Sequence, residues 1–156
     1  MPRRPRFVPA ILGPLDEEDQ EGALNANRVF YRAFNERDFA AMEEMWAHNA
    51  PVSCLHPGHH PLYERAAIVE SWRRILAGSG STQVKIADER VLFARGGLAL
   101  VTCRELLPQA PLIATNGYVK EGGAWRLVHH HSGQTPPPTS TQTQAPAAKR
   151  DRRRLH

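Results

Sequence analysis

Apolar residues recur at spacings of three and four between positions 23 and 34: Ala23, Ala26, Val29, Phe30, Ala33 and Phe34. That period places them on one face of a helix. The acidic run Asp16, Glu17, Glu18, Asp19 and Glu21 ahead of them suits the positive end of the helix dipole. Asn35, Glu36, Arg37 and Asp38 interrupt the period, and Asp38 is placed to cap a short second helix with Phe39, Met42, Met45 and Trp46 on one side. So short a connection folds the second helix back on the first. Residues 52–56, partly β-branched and bounded by Pro51 and Pro57, read as a strand. A loop over 58–63 leads into a third helix over 65–76, with Ile68, Trp72, Ile75 and Leu76 inward and Gly78, Ser79 and Gly80 as its stop.

From there the period changes to two. Val84 and Ile86 alternate with polar neighbours, as do Val91 and Phe93, before a turn at Arg95, Gly96 and Gly97. Residues 98–106 and 113–120 read as further strands, Glu121-Gly122-Gly123 as a tight hairpin turn, and 125–131 as the closing strand. Strands joined by short turns imply an antiparallel meander. The expectation is an α+β fold in the order α-α-β-α-β-β-β-β, three helices packed on a curved, mostly antiparallel sheet.

Composition separates this core from its ends. The hydrophobic share of 41% lies a little below a globular average. The shortfall sits in residues 1–15, rich in Pro and Arg, and in residues 135–156, a Pro/Thr/Gln stretch with a basic end. Neither shows apolar periodicity, so both are expected to be disordered tails around a domain at 16–134. Charge divides the same way: residues 1–14 carry +3 and residues 134–156 carry +4, which leaves −3 between them against the chain's total of +4. The high pI thus belongs to the tails, and with no base-reading motif beside the charge no specific nucleic-acid binding is expected. No apolar run approaches the roughly 20 residues of a membrane span. The absence of a signal core and of any CxxC points to a cytoplasmic protein with reduced thiols.

Several stretches resemble a known superfamily. Residues 27–39 (NRVFYRAFNERDF) are similar to the first helix and turn of SnoaL-like domains, and residues 63–68 (YERAAI) to the start of their third helix. The ending over 123–133 resembles the last strand of SnoaL-like proteins and of the association domain of calcium/calmodulin-dependent kinase II. That domain ends in Trp-x-Ile-Val-His-x-His-Arg-Ser-Gly. Trp125, Val128, His129, His131, Ser132 and Gly133 match it, and the arginine before the serine is missing here. The resemblance, over roughly 19–133, implies the nuclear transport factor 2-like fold, a cone-shaped half-barrel around a pocket. It also implies a homodimer through the outer sheet face and a small apolar ligand. The superfamily holds isomerases, cyclases and dehydratases as well as non-catalytic assembly modules, so either class is open.

Candidate chemistry is sparse. Strict alternation puts Trp125, Leu127, His129 and His131 on one face of the last strand and Arg126, Val128 and His130 on the other. His129 and His131 beside Trp125 suit a general base and a hydrogen-bond donor, or else simply fasten the strand end. His56, ending the first strand, is a third candidate base. In relatives with isomerase or cyclase activity an inner-strand acid works with a tyrosine on an enolate-type intermediate. Here Asn116 holds that position on one face with Tyr118, and an amide holds an oxyanion but takes no proton. Glu105 and Arg104 lie on the neighbouring strand, and Asp88 is a further inner-sheet acid or a bend. Trp46, Tyr63, Trp72 and Tyr118 are amphipathic aromatics suited to line the pocket, with Cys54 and Glu105 beside them. Trp46 and Trp72 also fit the core of their helical stripes, while Tyr63 and Tyr118 are the better lining. Cys54 and Cys103 have no sequence-local base and read as buried thiols. His56, His59 and His60 lie on a Pro- and Gly-rich loop whose spacing does not imply convergence, so no metal is expected. Without a Gly-rich phosphate loop no organic cofactor is expected either.

Overall fold

The computed structural model describes residues 15–80 and 82–136. The expected tails therefore lie almost wholly outside the described residues. Helix α1 (Glu17–Glu36) starts at Asp16, whose carboxylate accepts from the Asp19 N–H at 3.0 Å, and closes on Arg37 in the left-handed region. Asp38 caps α2 (Phe39–Met45) by accepting from the Ala41 N–H at 3.0 Å. Each side chain thereby satisfies one of the orphan donors at a helix start. Strand β1 (Ser53–Leu55) and helix α3 (Arg65–Ala77) follow, then β2 (Lys85–Arg95), β3 (Leu98–Leu106), β4 (Leu112–Glu121) and β5 (Ala124–Gln134). This is the expected order.

The five strands form one sheet in the order β1-β5-β4-β3-β2. The four long strands make the antiparallel meander, and β1 pairs parallel with the end of β5, Ser53 opposite His129 and Leu55 opposite His131. Two irregularities bend β2, between Ala87 and Arg90 and between Val91 and Phe93, with Asp88 at φ 52° in the first. Bulges of this kind steepen the twist and let a sheet curl. Asp88 is the bend and not an inner-sheet acid, for its side chain is largely exposed. Phe30, Met42, Trp46, Ile68, Val101 and Leu127 fill the space between the concave face and the helices.

A third irregularity lies where β5 meets β4. Gly117 pairs with His129 but Tyr118 pairs with Leu127, so Val128 is an extra residue without a partner. One inserted residue reverses the in/out alternation beyond it. Leu127 points into the core, and past the bulge it is His130 and Ser132 that are buried while His131 is exposed. The expected grouping of Leu127 with His129 and His131 is corrected on this point. Among the described residues no helix is long and apolar enough to cross a membrane.

Candidate functional site

Between α1, α3, the loop after β1 and the lower end of the sheet lies a cleft of about 450 Å³. Phe30, Phe34, Trp72 and Leu76 form apolar walls; Tyr31, His56, Glu105, His130 and Ser132 are among its polar groups, and Arg37, His59 and Thr82 also line it. The size and the ratio of apolar wall to few convergent polar groups are those of a small-molecule site.

The polar groups are tied into one buried network. Helix α1 presents Asn27 and Tyr31, four residues apart and therefore on one face, to the concave side of β3–β5. The Tyr31 hydroxyl donates to Glu105 Oε1 at 2.7 Å, and Ser132 Oγ donates to the other carboxylate oxygen. Tyr31 Oη accepts from Asn116 Nδ2 at 3.2 Å and from the Cys103 thiol at 3.3 Å. Asn116 Nδ2 also donates to Asn27 Oδ1 at 2.8 Å, an oxygen that accepts from the Tyr118 hydroxyl at 2.8 Å as well. With both amide hydrogens of Asn116 engaged, its Oδ1 faces His130 Nδ1 at 2.7 Å. That atom must therefore carry the imidazole proton, which leaves Nε2 with the lone pair.

Burial sets the protonation states. His130 is pushed down to about 3 by burial and then by its neighbours His56, His129 and His131, so it is neutral at ordinary pH. His56 is pushed down to about 4 by burial and then by His59. Its Nε2 lies 2.9 Å from Ser71 Oγ, whose hydrogen is committed to the Ile68 carbonyl at 2.7 Å; His56 Nε2 thus donates and Nδ1 holds the lone pair. The Glu105 carboxyl is raised by burial, and the donors Ser132 and Tyr31 only partly hold it down. Burial likewise favours neutral hydroxyls on Tyr31 and Tyr118. The two imidazoles stand 6.4 Å apart between centroids, with the Trp72 ring 4.7 Å from His56 and 5.6 Å from His130.

Of the residues singled out from the sequence, His56, Trp72 and Glu105 line the cleft. The others do not. His129 and His131 turn the other way because of the Val128 bulge, and His129 Nδ1 instead pairs with Ser53 Oγ at 2.7 Å. Asn116 and Tyr118 are fully enclosed beneath the polar groups and act on them through hydrogen bonds. Tyr63 is 65% exposed outside the cleft, and Trp46 is a core residue at 0%. Cys54 is buried with its sulfur 3.6 Å from His56 Nε2; burial pushes its thiol up to about 12, with the Trp72 indole holding it back. Among the described residues no three His, Cys, Asp or Glu side chains converge as a metal site. Sequence reasoning missed Asn27, Tyr31, Glu89, His130 and Ser132. A signal existed for two of them: Asn27 and Tyr31 fall inside the apolar stripe of α1, where a polar side chain requires a partner.

Known proteins share this arrangement of elements. A structure described as a candidate dehydratase of the NTF2-like family from Streptomyces avermitilis superposes with a TM-score of 0.70 at 28% identity, over 76% of this chain and 97% of that one. A candidate calcium/calmodulin-dependent protein kinase type II association domain from Thiobacillus denitrificans gives 0.63 at 29% identity, over 80% and 100%. The F-box protein SKIP8 of Arabidopsis thaliana is 23% identical over 111 residues, 70% of this chain and 48% of that protein, so the chain spans about half the length of the curated relative it matches. The family model described as SnoaL-like domain matches residues 23–136, the stretch that holds every group of the cleft. The chain belongs to the SnoaL-like domain family, on the nuclear transport factor 2-like fold.

Proposed function

We propose that the cleft performs acid/base chemistry (isomerisation, cyclisation or dehydration) on an apolar, carbonyl-bearing small molecule. One observation carries this reading: a neutral imidazole held in a single tautomer, His130, and a carboxyl whose protonated form burial favours, Glu105, line the same apolar cleft. In a dehydration, His130 Nε2 takes the proton next to the substrate carbonyl, the C–O bond at the β carbon breaks, and Glu105 protonates the departing hydroxyl to water. A neutral base beside a carboxyl whose protonated form burial favours suits this step. His56 supplies a lone pair for a substrate hydroxyl, and Trp72 covers the apolar body. The likeness to a candidate dehydratase at 28% identity supports the same class.

The test is to incubate the protein with small cyclic ketones and β-hydroxy ketones in D2O and follow deuterium entry or loss of water by proton NMR. Exchange should appear with the wild type and fall about 100-fold or more in His130→Asn and Glu105→Gln, the size of a general acid–base contribution. Absence of exchange across the panel, with no ligand-induced shift of cleft resonances, overturns the reading.

A second observation favours assembly alongside it. Leu98 and Leu106 of β3 and Ile113 of β4 stand exposed on the convex face of the sheet, with Leu92 of β2 also exposed. We infer a homodimer through this face, since exposed apolar residues at both ends of β3, with Ile113 beside one of them, suit an interface along the open sheet.

A further inference from the structure

We propose that Glu89, an acid at the edge of the molecule remote from the cleft walls, is a positioning residue that sets the tautomer of His130 through two amides. This deepens the acid/base reading and rests on it for its purpose. The chain of bonds runs one way. Glu89 Oε2 accepts from Asn27 Nδ2 at 2.9 Å; Asn27 Oδ1 accepts from Asn116 Nδ2 at 2.8 Å; Asn116 Oδ1 accepts from His130 Nδ1 at 2.7 Å. Asn27 and Asn116 are completely buried and His130 is 3% exposed, whereas the Glu89 side chain keeps 16% of its surface and meets Arg28 Nε at 3.2 Å.

Direction is what such a chain transmits. An amide can be turned end for end and a hydroxyl can donate or accept, so Asn27, Asn116 and Tyr118 fit either polarity, whereas Tyr31, while its one hydrogen goes to Glu105, only accepts from Asn116 and favours the same direction. An ionised carboxylate only accepts. With Glu89 at the outer end, Asn27 must present its NH2 outward and its oxygen inward; Asn116 must then do the same, and His130 must donate from Nδ1. The lone pair is thereby placed on Nε2, the nitrogen left for a substrate. Dipoles aligned head to tail also polarise one another, which makes that lone pair more basic than the buried ring alone would be. In the absence of the carboxylate the reversed chain becomes competitive, with His130 accepting at Nδ1 and carrying its proton on Nε2.

The readout is the imidazole 15N spectrum of the full-length protein at pH 7, which distinguishes the two neutral tautomers without any turnover. The wild type should show the Nδ1–H form of His130 alone. Glu89→Gln keeps an acceptor oxygen and the volume but loses the obligatory polarity, and should give a mixture of both tautomers; Glu89→Ala should do so more strongly. An Nε2–H signal in the wild type overturns the inference, as does an unchanged Nδ1–H form in both variants. A correct tautomer in a protein that exchanges no ketone proton would sink the acid/base reading and leave the role of Glu89 standing.

Discussion

The Tyr31 hydroxyl sits 2.7 Å from Glu105 Oε1, so a side chain from the first helix supplies one of the two donors of a carboxyl on the third strand of the sheet. Helix and sheet are thus joined at the cleft by a polar bond inside an otherwise apolar contact. Removing one partner of such a bond strands the other.

Tyr31→Phe should therefore destabilise the protein by about 1–3 kcal/mol, the cost of a buried acceptor left without a partner. Ser132→Ala should behave similarly, and the double variant should depart from additivity because both donors serve one carboxyl. Urea melts followed by circular dichroism measure all three. Losses under about 0.5 kcal/mol, the range of ordinary surface changes, would mean the network contributes little.

Acidification should weaken the fold. His130 and His56 have folded values pushed down to about 3 and about 4 by burial, below the ~6.5 of an unfolded histidine. Between those limits the unfolded chain binds protons that the folded one refuses, so stability is complete above about pH 6.5 and is lost as pH falls toward 4 and 3. Glu105, raised in the folded state, acts with the opposite sign and offsets part of the loss. The melting temperature should drop from pH 7 to pH 5, and His130→Asn should flatten the slope. A melting temperature that climbs over that interval would contradict the burial of neutral histidines.

Both cysteines should be inert in the folded protein. Burial pushes Cys54 up to about 12 and Cys103 up to about 11, so neither offers a thiolate at neutral pH. Iodoacetamide at pH 7.5 should leave the native chain unmodified and add two groups in urea, read by intact-mass spectrometry. Rapid native labelling would show that one thiol is open to reagent.

The convex face can be tested by charge. Leu98→Lys with Ile113→Lys should convert a sedimenting dimer into a monomer without altering the far-ultraviolet spectrum. A wild type that is monomeric at tens of micromolar removes the basis for that interface.

Deleting Val128 should be tolerated better than a deletion inside a strand usually is. Val128 is the unpartnered residue, so its loss makes Leu127 and His129 consecutive opposite Tyr118 and Gly117 and leaves Leu127, His130 and Ser132 inward. A cooperative thermal transition and a near-native near-ultraviolet spectrum are expected, and loss of both would argue against this register.

The order of elements was legible because it depends on local physics. The three-and-four spacing from Ala23 to Phe34, the capping carboxylate of Asp38 and the Gly-Gly turns each act within a few residues, and all three produce what they predict. The cleft was only partly legible. His56, Trp72 and Glu105 could be named from their places on elements, but Trp72 read more readily as core, since a residue in an apolar stripe faces inward whether or not a cavity lies there.

The sequence by itself determined the three helices, the meander and the family, because periodicity, caps and turns are short-range and the closing strand carries a recognisable pattern. Only the tertiary structure decided which histidine enters the cleft. Three consecutive histidines alternate identically in either phase, and the choice between His130 and its neighbours rests on how β4 pairs with β5 around Val128. The same holds for the polar network, whose bonds join residues up to 91 positions apart. No spacing along the chain encodes the direction in which such bonds run; it emerges only when Glu89, Asn27, Asn116 and His130 are brought into one line, with an acceptor-only carboxylate at its outer end.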